Sequence, residues 1–246
     1  VDLIERSLHC TSRHPWELAR LSLFSRVLLR SGFGLHSRSG LLDVGAGDAW
    51  FAASLRSRLP LSGPAVCWDT GYSASVQESL SAQHPELAFA SRQPDGRFDI
   101  VLLLDVLEHI EKDAEFLQRI VARNLSSEGY LLISVPAWPQ VFSGHDVRLK
   151  HYRRYEPTAC RRLVTESGLR IIRSGGAFHS LLLVRAAQKL LRSKRPTAHV
   201  GMWKGGPILT SILTKALAAD GIFSVAASDI RMEVPGLSWW ALCQLT

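Results

Sequence analysis

The stretch Gly40-Leu-Leu-Asp-Val-Gly-Ala-Gly-Asp-Ala-Trp-Phe51 passes from an apolar run through two glycines into a helix-like segment. Leu41, Leu42 and Val44 read as a short buried parallel strand, with Asp43 near its carboxyl end. Gly45 and Gly47 permit a tight turn and leave the backbone open to the approach of a ligand. From Asp48 on, Trp50, Phe51, Leu55 and Leu59 recur at roughly helical spacing, so the turn delivers a helix N-terminus. Strand, glycine turn and helix in this order form the nucleotide-binding corner of a doubly wound α/β sheet.

The details of the turn decide which nucleotide. A dinucleotide fingerprint G-x-G-x-x-G needs its third small residue where this chain has Trp50, and an indole blocks the close helix–strand contact that glycine serves. No Tyr-x-x-x-Lys pair of a nicotinamide-dependent reductase is present either. Asp43, two positions before Gly45, instead suits a ligand that carries an ammonium group. The run D-V-G-A-G-D-A resembles the first motif of class I S-adenosylmethionine-dependent methyltransferases, acidic-x-Gly-x-Gly-x-Gly, with Ala49 in place of the last glycine. The run F-D-I-V-L-L-L-D-V-L-E-H-I, residues 98–110, closely resembles that family's fourth motif. The resemblance spans roughly residues 36–175 and the final strand, with a fainter match at the N-terminus.

This resemblance implies a doubly wound, seven-stranded, mostly parallel sheet with helices on both faces. It implies S-adenosylmethionine as cofactor and S-adenosylhomocysteine as product. Asp43 would then meet the cofactor's ammonium group, the backbone of Gly45, Ala46 and Gly47 its middle, and Leu104, Asp105 and Val106 would border its methionine end. The strand Ala65-Val-Cys-Trp-Asp69 places Asp69 twenty-two residues after Gly47. An acid at that strand end can accept both ribose hydroxyls, with Thr70 beside it. The loop Ser91–Gly96 would lie by the adenine; it lacks the family's usual Asp, which leaves Arg92 and Gln93 as candidates. The N-terminal Arg13-His-Pro-Trp-Glu-Leu-Ala-Arg20 opens an amphipathic helix through Leu21, Phe24, Val27 and Leu28. It resembles the His-Trp-Trp-Phe-x-x-Arg segment of some small-molecule methyltransferases, in which an Arg can bind the methionine carboxylate. Arg20 is the first candidate and Arg13 the second, against an ordinary surface helix with solvated arginines.

The remaining strands are expected at Leu87–Ala90, Phe98–Asp105, Gly129–Pro136, Leu169–Arg173 and Gly236–Leu245, with helices over Ser73–Gln83, around Phe116, Leu117, Ile120 and Val121, and from Pro157 to Gly168. A polar, aromatic connection, Ala137 to Tyr155, crosses a strand end, where α/β enzymes build substrate pockets. Its His-Asp…His-Tyr-Arg-Arg-Tyr pattern resembles a subset of these methyltransferases, several of which modify glycans, lipids or secondary metabolites. Trp138, Tyr152, Arg153, Arg154 and Tyr155 are the candidate substrate contacts. Deprotonating an acceptor calls for a base near neutral pKa; His109, His145 and His151 are the candidates, each set against a structural histidine. The spacing of Cys, His and acids shows no metal cluster.

The 246 residues are read as a single domain: a helical cap over 1–39, and a helical insertion over 177–235 before the last strand. That insertion, with one helix around Leu181–Leu191 and another around Ile208–Leu217, would serve as lid, dimer surface or membrane-facing patch. Cys10, Cys67, Cys160 and Cys243 are far apart and read as reduced thiols, which suits the cytoplasm. The first residues mix charges where a secretory signal would be apolar, Val1 in place of Met implies a trimmed chain, and no run approaches a membrane span. A formal net charge of +7 raises nucleic acid or acidic membrane as partners. The basic residues are dispersed, and the Asn-Pro-Pro-Tyr and Pro-Cys signatures of base-modifying relatives are missing, so a nucleic-acid acceptor is disfavoured. The expected function is methylation of a small-molecule, glycan or lipid acceptor at oxygen or nitrogen. A methyltransferase-like scaffold or partner subunit is the non-enzymatic alternative.

Overall fold

The computed structural model describes residues 13–32, 39–59, 61–190 and 205–246. Helix α1 (Pro15–Arg30) precedes β1 (Leu41–Val44), α2 (Trp50–Arg58), β2 (Ala65–Trp68), α3 (Ala74–Gln83) and β3 (Ala88–Ala90). The chain then crosses to β4 (Phe98–Leu104), α4 (Asp113–Asn124) and β5 (Leu125–Pro136). Helices α5 (Gly144–Arg148) and α6 (Pro157–Glu166) lead to β6 (Leu169–Ala177). Helices α7 (His179–Leu190) and α8 (Pro207–Asp229) fill the interval before β7 (Ser238–Leu245). The seven strands lie in the order β3-β2-β1-β4-β5-β7-β6, with β7 antiparallel to both neighbours and the rest parallel.

Alternation along the central strands builds two cores. Ile100, Leu102 and Leu104 of β4 join Phe24 and Val27 of α1, Leu55 of α2 and Val225 of α8 on one face. Val101 and Leu103 point the other way, to Phe116, Leu117 and Ile120 of α4 and Cys160 and Val164 of α6. Trp240 and Trp239 of β7 divide between the same two faces. Each such side chain, fully buried, contributes on the order of 1.5–3 kcal/mol, so the sheet is held from both sides. Because the chain leaves β1 toward β2 and β3 and returns to β4 on β1's other side, the strand order reverses between β1 and β4. A crevice opens at their carboxyl ends, where ligands bind in open α/β sheets.

Three elements run further than their patterns suggest. Strand β5 starts at Leu125, four residues before Gly129, because Leu125 is buried opposite Phe98 while polar Ser126 to Glu128 cross an irregular register. Strand β6 continues through Gly175 and Gly176, which pair with Trp240 and Trp239; a Cβ on Gly176 would overlap the backbone of Val234–Gly236. Helix α8 continues past Leu217 to Asp229 because its small residues let it lie close to α1, the bare face of Gly221 meeting Leu23. Ser224 of α8 accepts from Trp240 Nε1 at 2.9 Å and donates to Gly176 O at 2.5 Å, fastening the helix to the sheet. By length and composition α8 is apolar enough to cross a membrane, a feature hidden from a search for uninterrupted apolar runs. One of its faces is packed on α1 and β6, and the other exposes Ile208, Ile212, Ile222 and Phe223. The ends of the expected cap, 1–12 and 33–38, and the basic cluster Arg192, Lys194 and Arg195 lie outside the described residues.

Candidate functional site

The turn after β1 is built on left-handed backbone. Gly45, Gly47 and Ala49 have φ of 67°, 55° and 61°. A Cβ on Gly45 would stand 2.9 Å from Val106 Cγ2, so glycine is required there both for its φ and for space. Ala49 occupies the last glycine position of the motif and pays on the order of 1 kcal/mol for its conformation, with its methyl fully buried. Gly45 N and Ala46 N both donate to Trp68 O, at 2.7 and 3.2 Å, which ties the turn to the end of β2. Asp69 follows directly. Its Oδ2 accepts from Gly47 N at 3.0 Å and its Oδ1 from Gly71 N at 2.8 Å, while Tyr72 Oη donates to Gly47 O at 2.8 Å. Each carboxylate oxygen keeps a further lone pair for a ligand hydroxyl.

Helix α1 closes the opposite wall. It starts on a capping box, in which His14 accepts from Trp16 N and Glu17 from His14 N, with Pro15 in its first turn. That start fixes the direction of Arg20, one turn further on. Arg20 pairs with Asp105 Oδ2 at 3.0 Å, and its guanidinium lies over the rings of Trp16 and Phe51. Its Nε is buried with no partner among the described residues. Arg13, the second candidate, is committed to Asp48 at 2.5 Å and Glu17 at 3.2 Å and stacks on Trp50. Asp105 itself sits at φ 58°, its Oδ1 accepting from Ser134 Oγ at 3.0 Å. Between these walls is an open cleft, lined by Arg20, Asp43, Gly45, Ala46, Phe51 and Leu104 among others. Burial pushes the Asp43 carboxyl up to about 7, against the attraction of Arg20.

These groups fit S-adenosylmethionine. The cleft offers an unsatisfied buried guanidinium N–H for a carboxylate and a buried acid for an ammonium group. Beside them lie a glycine backbone that a side chain would obstruct and, at the next strand end, an acid with free lone pairs. Gly47, Asp69, Asp105 and Val106 frame it, so most of the expected cofactor residues converge. Two stand apart. Thr70 and Arg92 are exposed, and Gln93 is held to Asn124 and Arg119, which turns that loop toward α4.

Past Asp105 the chain makes a single 3-10 turn, Leu107–His109, onto which the 137–155 connection is stitched. Tyr152 N donates to Glu108 O at 2.8 Å, and Tyr155 Oη donates to Leu107 O and to Asp113 at 3.1 and 2.6 Å. Arg153 pairs with Asp113 at 3.0 Å and with Glu111 O at 2.7 Å. Trp138 Nε1 donates to Gly236 O at 2.8 Å. Asp146, fully buried, takes Arg154 Nε at 2.7 Å, His151 Nδ1 at 3.0 Å and Ser143 N at 2.9 Å. Burial alone would raise its pKa, but the bonds from His151 and Arg154 hold its carboxyl well below the usual range. The stitching stacks the His109 and His151 rings edge to face, with centroids 4.7 Å apart.

Thus the five expected substrate contacts separate. Tyr155, Arg154 and Trp138 are spent inside the protein as struts, and Arg153 secures the turn. Tyr152 is exposed. His145, on α5, is half-buried; burial lowers its pKa and Asp146 opposes this. The sequence reading passed over Glu108, which meets His151 across more than forty residues of chain, and Asp146, whose partners Ser143, His151 and Arg154 are local. It also passed over the aromatic frame of Trp16 and Phe51 around Arg20. The His14–Glu17 capping spacing was the available signal for the start of α1.

Comparison with known proteins agrees with this geometry. A family profile described as a methyltransferase domain matches residues 16–174, well over half of the chain. An uncharacterized methyltransferase of Mycobacterium avium (strain 104) is 31% identical over 140 residues, 51% of this chain and 51% of that protein. A second, from Mycolicibacterium paratuberculosis, is 31% identical over 140 residues, 51% and 50% of the two chains. The chain therefore spans about half the length of the curated relatives it matches. Among solved structures, a SAM-dependent methyltransferase from Archaeoglobus fulgidus superposes with TM-score 0.51 at 12% identity, over 91% of this chain and 93% of that one. A protein from Galdieria sulphuraria, provisionally described as a sarcosine dimethylglycine methyltransferase, gives 0.55 at 16% identity over 91% and 84%. Both likenesses are of fold. Turn, strand order and family match together show that the chain belongs to the methyltransferase-domain family.

Proposed function

We propose that the chain is an S-adenosylmethionine-dependent methyltransferase that acts on oxygen or nitrogen of a small-molecule, glycan or lipid-type acceptor. The observation that carries this reading is the convergence of Asp43, the Gly45–Gly47 turn, Asp69 and the unsatisfied Arg20 Nε at one switch point of the sheet. The bound cofactor supplies an electrophilic methyl on a sulfonium. The protein's part is alignment and exclusion of water, which α1 and its aromatic frame provide over the cleft. Asp43 is to take the ammonium end, Arg20 the carboxylate and Asp69 the ribose hydroxyls. His109 and His151, beyond Asp105, are to meet the acceptor's heteroatom and assist loss of its proton.

The exposed apolar residues on α7 and α8, including Leu183, Ile208, Ile212 and Phe223, support an acceptor with an apolar portion or a contact at a membrane surface. The buried free thiols of Cys67, Cys160 and Cys243 suit a reducing compartment such as the cytoplasm. Calorimetry with S-adenosylmethionine and S-adenosylhomocysteine tests the reading. Binding on the order of −7 to −8 kcal/mol is expected, weakened at least tenfold in Asp69→Asn and Arg20→Gln. A chain that is folded by circular dichroism yet gives no heat with either ligand is a scaffold, and the reading fails.

A further inference from the structure

Beyond the cofactor cleft, one donor atom from each of Glu108, His109 and His151 lies within 4.8 Å of the other two. Glu108 is fully buried, and neither of its carboxylate oxygens has a hydrogen-bond partner among the described residues. A buried polar group in that condition costs free energy that some ligand must offset. His151 is prepared differently. Its Nδ1 is bonded to Asp146, which is anchored in turn by Arg154 and Ser143. With Asp146 ionised, Nδ1 carries the proton and the lone pair rests on Nε2. A carboxylate behind a histidine in this way is the usual support of a metal-bound imidazole.

We propose that Glu108, His109 and His151 bind a divalent first-row transition ion of the zinc and cobalt type, with coordination positions left open for the acceptor's heteroatom. Two imidazoles and one carboxylate are the donor set of catalytic sites for such ions. Donors bound at about 2.0–2.2 Å stand roughly 3.0–3.6 Å from one another, so the three side chains close by about 1 Å on taking the ion. The ion satisfies the oxygens of Glu108 that have no partner among the described residues. This proposal rests on the methyltransferase reading and deepens it. An acceptor hydroxyl or amine bound to the ion releases its proton to water at lower pH than when free. Its lone pair then forms the new bond to the methyl carbon, while the electron pair of the C–S bond leaves with sulfur. The substrate class is thereby narrowed to acceptors whose reacting oxygen or nitrogen can ligate a metal.

The test is titration of Co2+ into the chelator-treated full chain, followed by its visible ligand-field absorption, with Zn2+ as competitor. Calorimetry with S-adenosylhomocysteine is run on the same samples in chelator. One ion per chain is expected, with affinity at least tenfold lower in Glu108→Gln, which keeps the shape of the buried side chain, and in His151→Gln. Asp146→Asn should weaken binding 10- to 100-fold while leaving the three donors in place. Absence of a saturable one-to-one signal overturns the proposal, as does binding that Glu108→Gln and His151→Gln leave unchanged. S-adenosylhomocysteine binding without Co2+ binding removes the metal site alone. Co2+ binding without S-adenosylhomocysteine removes the methyltransferase reading instead.

Discussion

Replacing Asp43 by Asn should make the protein more stable at alkaline pH and nearly unchanged at acid pH. Asp43 is 4% exposed, and its carboxyl is raised from 3.8 to about 7 in the folded protein, chiefly by burial. Between those values the native state holds a proton that the unfolded chain has lost. The number bound in the unfolded state minus that in the native state is then negative, so stability falls as pH rises. The loss begins near pH 4 and is complete above about pH 7. A difference of about three pKa units corresponds to about 4 kcal/mol. Asn has the same shape and no such titration. Urea denaturation of wild type and Asp43→Asn should give unfolding free energies that agree within about 1 kcal/mol at pH 4.5. They should diverge through pH 5–7, with the variant ahead by about 3–4 kcal/mol at pH 8. Taking the difference cancels the other titrating groups, His145 included. A difference that stays flat across this range would refute the burial argument. A ligand ammonium placed against Asp43 reverses the penalty, so binding near pH 6.5 should release a proton, read as a buffer-dependent heat.

Two further substitutions probe the frame of the site. Gly45→Ala forces a Cβ into the left-handed region and against Val106 Cγ2, and should cost about 1–3 kcal/mol in urea unfolding. A compensating Val106→Ala should recover the part due to the clash and leave the rest. Asp146→Asn strands Arg154, whose side chain is 7% exposed, beside a neutral partner, at a cost of about 3–5 kcal/mol at pH 7. Because the Asp146 carboxyl is held below its usual range in the folded state, its contribution is present above the unfolded pKa and lost as pH falls. The gap between the two proteins should therefore close below about pH 4 in acid-denaturation curves.

The fold was legible because its signals are local. The apolar run into Gly45 and Gly47 and the run Ile100–Leu104 state their structure within a dozen residues. The position of Asp69 was legible for the same reason, as the first residue after a short strand at a fixed distance from the turn. Where the pattern failed, the determinant was distant. Gly176 and Gly221 are points of close approach, to the Val234–Gly236 backbone and to Leu23, which no local pattern announces. In the same way Tyr155, Arg154 and Trp138 carry the residue types of a substrate pocket. Their partners, Leu107, Asp146 and Gly236, take them into the framework instead. The Glu108–His109–His151 grouping spans more than forty residues of chain. It exists only because Tyr152 N bonds Glu108 O and brings the connection back over the turn. No spacing rule for metal ligands reaches that far.

The division of labour that results is simple. In the proposed reading the carboxyl ends of β1 and β2 and the start of α1 take the cofactor, and the 3-10 turn with His151, past the end of α5, faces the acceptor. Asp105, paired to Arg20 on one side and next in sequence but two to Glu108 on the other, is the boundary between them.

The account stands most directly on where S-adenosylhomocysteine lies in a crystal of the complex. It should occupy the crevice between β1 and β4, with its ribose hydroxyls on Asp69, its carboxylate on Arg20 Nε and its middle against Gly45 and Gly47. A complex whose density lies elsewhere on the molecule, with Arg20 Nε and Asp69 untouched, would contradict it.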